Sequence, residues 1–213
     1  HRPRDQPRPP VAHFWRPRFG PGHGLRRSGR IAIAHIMFRL AHISDIHLGP
    51  LPRVTLAELA SKRITGYLNW HRNRRKHLFG NTLENVLTGL REAAPDHVAI
   101  TGDLVNLATR TEIEVARLWL ETHFDPLKTT LVPGNHDIGD KPIVWSPGAV
   151  ACDAYISLWK NTFGPNYHAV DHRGGRFFMI DSQVINTGLA AEAEQKSWLE
   201  TEMADATERG LRI

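Results

Sequence analysis

The sequence has almost no cysteine. Cys152 is the single cysteine among 213 residues. One thiol cannot form a disulfide within the chain, and it cannot build the thiolate cluster of a structural zinc site. The composition therefore fits an intracellular, reducing setting.

Long apolar runs are also missing. The run that could imitate a signal sequence, residues 31–38, follows a group of arginines. It is far shorter than the ~20 apolar residues of a membrane-spanning helix. A secretory signal would need small residues at a cleavage site, and none fits because strand-like residues follow at once. We therefore expect a cytoplasmic protein, with a peripheral position at the inner membrane surface as the alternative.

Positive charge is not spread evenly along the chain. The formal net charge is +5, but residues 1–30 hold eight arginines against one acidic residue and carry +7 of it. The remaining 183 residues have a net charge of −2, so we expect no specific nucleic-acid partner. Residues 1–36 are rich in Arg and Pro and lack any periodicity, which predicts a disordered extension before a domain at residues 37–213.

Strands and helices alternate along that domain. A capping-box spacing at residues 81–84 opens an amphipathic helix, and a second helix is predicted from Thr111 to about Thr122. Buried strands are predicted at residues 38–44, 97–100 and 129–132. This order indicates an α/β fold.

The second half of the domain has a hairpin followed by a long helix. The turn signal Gly174-Gly175 predicts a hairpin over residues 167–181, and a helix is predicted from Ala191 to Arg209. Gly210 is placed to end that helix, and residues 211–213 resemble the start of a further strand. We therefore interpret the chain as a fragment of a longer protein.

Polar side chains follow each of the three predicted parallel strands. Asp45 and His47 follow the first strand, Asp103 follows the second, and Asn135 follows the third. Open α/β sheets place their sites at this edge, and these side chains suit hard metal ions. Asp45 and His47 provide ligands for one metal, Asp103 a carboxylate that bridges two, and Asn135 an amide oxygen for the second.

The third block continues with two further polar residues, His136 and Asp137. His136 is interpreted as the catalytic histidine, which stabilises developing charge or protonates a leaving alkoxide, and Asp137 as the residue that orients it. Each block alone arises easily by chance. Their joint order, each directly after a strand, favours a functional site.

The blocks Asp45-Ile46-His47, Gly102-Asp103 and Gly134-Asn135-His136-Asp137 resemble signature motifs of the calcineurin-like metallophosphoesterases, in the bacterial cyclic-nucleotide phosphodiesterase-like branch. The resemblance implies a four-layer α/β/β/α sandwich of two mixed sheets, incomplete at the C-terminus. It also implies a cofactor of two divalent or trivalent metal ions: Mn, Fe or Zn.

The family also uses later histidines, which this sequence does not supply. His168 and His172 lie on the predicted hairpin, in the wrong place for these ligands. The resemblance therefore implies that the remaining histidine ligands lie beyond Ile213.

The resemblance implies a dinuclear metal-dependent phosphoesterase that hydrolyses phosphodiester or phosphomonoester bonds of a small phosphorylated, nucleotide-type substrate. Two alternatives stay open: a pyrophosphatase on a nucleotide-linked lipid precursor at the membrane surface, and a binding scaffold that has lost its chemistry. A basic helical insertion at about residues 52–80 motivates the first. Its residues 62–79 either contact an anionic membrane or form a solvated hairpin that packs Leu68 and Trp70 on the core.

Overall fold

The structure, a computed structural model, describes residues 38–54, 63–72, 81–140, 150–173 and 175–213. The predicted extension at residues 1–36 and most of the basic insertion lie outside these ranges.

Three parallel strands form the sheet that carries the site. They are β1 (Leu40–Ser44), β2 (His97–Thr101) and β3 (Thr129–Val132), in the spatial order β1-β2-β3. Ser44 pairs with Thr101, which pairs with Val132, so the carboxyl ends of the strands are level. The three strand predictions are confirmed to within two residues at each end.

Six α-helices lie among the described residues. They are α1 (Arg63–Arg72), α2 (Thr82–Ala93), α3 (Arg110–His123), the single turn α4 (Asn135–Ile138), α5 (Asp153–Phe163) and α6 (Ala190–Glu208). Buried side chains from α2, α3 and α5 pack with those of β2 and β3 in one core, including Leu87, Ile100, Ile113, Leu120, Leu131 and Trp159. The α/β prediction is confirmed.

Two antiparallel pairs complete the fold. The shorter consists of β4 (Gly139–Asp140) and β5 (Val150–Ala151), and the hairpin consists of β6 (His168–His172) and β7 (Gly175–Met179). The predicted hairpin therefore exists, although Gly174 lies outside the described residues and β7 ends two residues early. Arg212 pairs with Gly175 in parallel and accepts a hydrogen bond from the Arg176 amide at 2.7 Å. Residues 211–213 thus include the strand-like pairing expected of them.

The helix caps differ from the prediction. Asn81 makes no side-chain cap at α2, although the spacing at residues 81–84 predicts one. The capping box of α3 lies two residues earlier than expected, because the Thr109 hydroxyl accepts the Glu112 amide and the Glu112 carboxylate accepts the Thr109 amide. Glu112 therefore closes the loop that precedes α3.

The part of the basic insertion that the structure describes is α1. Trp70 is 5% exposed, in line with the solvated-hairpin alternative, whereas Leu68, which that alternative also packs on the core, is 46% exposed. The choice between the two alternatives stays open. Among the described residues, no helix combines the length and the hydropathy needed to cross a membrane.

His97, at the start of β2, is buried beside two other histidines. Its Nε2 lies 2.9 Å from the Thr130 hydroxyl oxygen, and its ring centroid lies 5.2 Å from that of His172. Burial lowers the pKa of His97 to about 4, with smaller contributions from the charges of His172 and His168.

We predict that buried His97 lowers the free energy of unfolding as the pH falls from 6.5 towards 4. The folded-state pKa is lowered, so the unfolded chain takes up a proton that folded His97 resists, and the stability present above pH 6.5 is lost. Urea denaturation at about pH 7.5 and 4.5 measures the free energy of unfolding. Its decrease between the two pH values should be about 2 kcal/mol smaller in His97→Gln than in the wild type. An equally steep loss in the variant would contradict this assignment.

Candidate metal centre

The site lies where the three parallel strands end. The Asp45 amide donates to the Gly102 carbonyl at 3.2 Å, and the His47 amide donates to the Asp103 carbonyl at 2.8 Å. The Gly102 amide donates in turn to the Val132 carbonyl at 2.8 Å. These backbone hydrogen bonds help to hold the loops after β1 and β2 in register with the end of β3.

Three of the four predicted metal ligands have a strained backbone. Their φ angles lie in the left-handed region, at 54° for Asp45, 45° for His47 and 54° for Asp103. This conformation costs a residue with a Cβ about 1–2 kcal/mol. Such strain concentrates at functional sites, where the surrounding structure holds it in place, so it supports a functional assignment of these loops.

The Asp103 carboxylate is at the centre of the arrangement. Its Oδ1 accepts the His136 amide at 2.8 Å, and its Oδ2 lies 3.8 Å from Nε2 of His47. The ligand atoms of Asp103, His47 and His136 all lie within 4.8 Å of one another. This spacing fits a metal ion held by a carboxylate and imidazoles.

Both imidazoles are held by backbone carbonyls. Nδ1 of His47 lies 3.1 Å from the Val105 oxygen, and Nδ1 of His136 lies 2.9 Å from the Asn106 oxygen. A carbonyl can only accept, so in each ring Nδ1 carries the hydrogen and Nε2 keeps its lone pair. Metal-binding histidines are oriented in this way, and the donor set therefore fits a metal centre.

A cavity of about 330 Å³ has Asp103 on its wall, whereas the His47 and His136 rings are outside its lining. Asp45, Asp103 and Asn135 are on its wall, together with residues from the end of β7 and from the turn that follows it. The structure thus brings the predicted metal residues and His136 to one edge of the sheet. Their individual roles as ligand or catalyst remain predictions.

Asp137 has a different place from the one we expected. Its buried carboxylate accepts the Gly134 amide at 2.8 Å and the Val105 amide at 3.1 Å, whereas the His136 ring is held by the Asn106 carbonyl. Burial raises the pKa of Asp137 to about 7, although the amide donors oppose that shift. The expectation that Asp137 orients the histidine is corrected, since its carboxylate ties the loop after β2 to the loop after β3.

Two residues of the site were missed in the sequence. Asn106 supplies the carbonyl that holds His136, and Glu112 accepts the Asn106 amide at 3.0 Å. The sequence signal that could have identified Glu112 was the Thr-x-x-Glu spacing at residues 109–112, a short loop after the second motif. His168 and His172, excluded from the site, do lie elsewhere. His172 packs against His97 at the opposite end of β2, and His168 lines a different cavity.

The close approach of the loops requires glycine at position 134. A Cβ there would lie 2.3 Å from Oδ1 of Asp103 and 2.6 Å from its amide nitrogen. The φ of −106° at Gly134 suits any residue, so the constraint is one of space.

We predict that Gly134→Ala lowers the free energy of unfolding by about 1–3 kcal/mol because the loops must separate. Chemical denaturation measures the loss, with Gly89→Ala as the control. Gly89 is exposed within α2, and a Cβ there meets nothing within 4 Å. That control should gain about 0.5–1 kcal/mol. Unchanged stability in Gly134→Ala would show that the loops are not tightly apposed.

The sequence is similar to those of known proteins. Residues 38–202 match the family described as Calcineurin-like phosphoesterase. The chain is also similar to the glycerophosphodiester phosphodiesterase GpdQ of Enterobacter lignolyticus (strain SCF1), with 30% identity over 176 residues. The alignment covers 82% of this chain but 54% of the relative, so the chain spans about half the length of the relative it matches. By its matched residues and its motif geometry, the chain belongs to the calcineurin-like phosphoesterase family.

Proposed function

We propose that this protein is a dinuclear metal-dependent phosphoesterase that hydrolyses a small phosphodiester. The observation that carries the proposal is the convergence of His47, Asp103 and His136, with ligand atoms within 4.8 Å of one another beside a cavity. Membership of the family supports metal-dependent ester hydrolysis. The name of the relative supports a diester, while a nucleotide-type substrate stays a prediction.

In this proposal Asp45 and His47 hold one ion, Asn135 holds the second, and Asp103 contacts both. The ions are Mn, Fe or Zn, because carboxylate, imidazole and amide ligands suit all three. The chemistry that bound metals supply is polarisation of a phosphoryl oxygen and activation of a water molecule. Asp103 is suited to the shared position, since it lies centrally and one of its oxygens is 3.8 Å from Nε2 of His47.

His136 acts as the general acid in this proposal. Its Nδ1–H donates to the Asn106 carbonyl at 2.9 Å, so a proton taken up at Nε2 gives an imidazolium that the carbonyl stabilises. Transfer of that Nε2 proton to the departing alkoxide restores the neutral ring. The same nitrogen lies in the three-residue cluster, and metal content therefore separates a catalytic role from a ligand role.

The decisive experiment measures metal content and hydrolysis of bis-p-nitrophenyl phosphate with added Mn²⁺. The 213-residue chain and a longer chain that continues past Ile213 are compared. Asp103→Ala should lose both metal and hydrolysis, because the shared carboxylate is gone. His136→Ala should keep its metal and lose hydrolysis by about 10²–10⁴-fold.

Loss of metal from His136→Ala would instead assign that ring as a ligand. A longer chain that neither binds metal nor hydrolyses the ester would overturn the proposal and favour the scaffold alternative.

The cavity wall opposite the metal residues is a short turn that follows β7. Ser182 and Gln183 line the cavity, and both lie in the 3-10 helix Ser182–Val184. Buried Asp181 holds this turn, accepting the Gln183 amide at 2.9 Å and the side-chain amide of Asn166 at 2.6 Å. We assign this wall to the alcohol group of the substrate because its hydroxyl and amide can bind hydroxyl groups.

We predict that Gln183→Ala raises KM for a glycerophosphodiester about tenfold, the effect of one lost hydrogen bond of ~1.4 kcal/mol. Bis-p-nitrophenyl phosphate serves as the matched control, since its alcohol groups carry no hydroxyl and its KM should stay unchanged. Steady-state kinetics on both substrates measure the difference. Equal changes on the two substrates would remove Gln183 from the alcohol site.

The pyrophosphatase alternative depends on membrane contact through residues 62–79, most of which lie outside the described part of the chain. No feature of the described residues favours it over a small phosphodiester. Membrane contact and a cytoplasmic location both stay predictions.

A further inference from the structure

Glu112 is a buried carboxylate that lies outside the set of predicted ligands. It is 3% exposed and accepts hydrogen bonds from four donor groups. Three come from the amides of Asn106, Leu107 and Thr109, at 3.0, 3.1 and 3.1 Å, and the fourth comes from the Thr109 hydroxyl at 3.2 Å. Within the described ranges no basic side chain pairs with it, so these donors compensate its charge.

The donors belong to the loop over residues 104–109, which joins β2 to α3. This loop supplies the two carbonyls that hold the imidazoles, from Val105 to His47 and from Asn106 to His136. The Asn106 side-chain amide also donates to the Leu48 carbonyl at 3.1 Å, which ties the same loop to the one after β1. Glu112 is therefore linked to His136 through the backbone of Asn106.

The Val105 amide donates to Asp137 at 3.1 Å and the Leu104 carbonyl accepts the Leu48 amide at 2.8 Å, so Glu112 is one of several groups that hold this loop. The loop belongs to no helix or strand, and Ala108 within it has a left-handed φ of 51°. Buried amides need acceptors, and Glu112 provides one for three of them. Without that carboxylate the loop would turn its amides elsewhere, and its carbonyls would move away from the two Nδ1 atoms.

We propose that Glu112 is a positioning residue of the metal centre. By fixing loop 104–109 it keeps the Nδ1–H tautomer of His47 and His136, which leaves both Nε2 lone pairs for metal or proton. This inference rests on the proposed function, because the tautomer matters only if these rings bind metal or transfer a proton.

A purely structural role is the competing explanation, because Glu112 also belongs to the capping box of α3. A cap contributes to stability alone. A positioning residue also changes the imidazole tautomer and the metal affinity of the protein that remains folded. The two roles are therefore separable by measurements other than stability.

The test compares Glu112→Gln with Glu114→Gln in the full chain. Glu114 is on the same helix, is exposed, and pairs with Arg117 three residues later, so it matches the chemical change away from the loop. The amide introduced by Glu112→Gln has one oxygen and one NH₂ group, so at least one loop N–H would face a donor instead of an acceptor. Histidine ring ¹⁵N shifts of the metal-free protein report the tautomer, and calorimetry reports Mn²⁺ affinity.

We expect Glu112→Gln to populate both tautomers of His47 and His136 and to bind Mn²⁺ about tenfold more weakly. Glu114→Gln should match the wild type in both. Thr109→Ala, which removes the cap acceptor but keeps the three amide bonds to Glu112, should lose stability while tautomer and affinity stay unchanged. If Glu112→Gln does not fold, Glu112→Asp carries the test, because its shorter carboxylate reaches fewer loop amides.

A folded Glu112 variant with wild-type tautomers and wild-type affinity would overturn the inference and leave the proposed function intact. A wild-type chain that continues past Ile213 and binds no Mn²⁺ would overturn the proposed function, while the tautomer measurement would still decide whether Glu112 positions the rings.

Discussion

The Asp103 carboxylate accepts the His136 amide at 2.8 Å, and this bond depends on the absence of side chains between the two loops. A Cβ on Gly134 would overlap Asp103, and a Cβ on Gly102 would lie 2.6 Å from the Gly134 Cα. The two glycines therefore allow the loops after β2 and β3 to touch. The central carboxylate, the histidine and the neighbouring amide all depend on that contact.

Two buried carboxylates also hold these loops in place by accepting hydrogen bonds from their backbone amides. Asp137 binds amides on both sides of the contact, and Glu112 binds three amides of the loop before α3. Burying a carboxylate is costly unless donors surround it, and here the backbone supplies the donors. The same bonds satisfy loop amides that have no strand or helix partner. Irregular backbone at the site is thus stabilised by buried carboxylates.

The sequence predicted the strands and the motif positions because both are local signals. Each strand is a short apolar run that stops at a polar residue, and parallel strands bring those ends to one edge. The partners of Asp137 were not predictable, because Val105 is 32 positions away and contributes an amide rather than a side chain. The cap of α3 was placed wrongly since Thr109 and Thr111 are each followed three residues later by glutamate, and only packing distinguishes them.

On the proposed function, the metal residues and the residues that bind the alcohol group come from different parts of the fold. Asp45, Asp103 and Asn135 line the cavity from the ends of the parallel strands. Ser182 and Gln183 line it from the turn after β7. The metal motifs carry no information about that turn, whose position follows from the packing of β6 and β7 beside β3. Because buried Asp181 fixes the turn backbone, the two side chains that line the cavity can change without disturbing the metal residues. On the proposed function, the residues that bind the alcohol group can therefore vary while the metal residues stay unchanged.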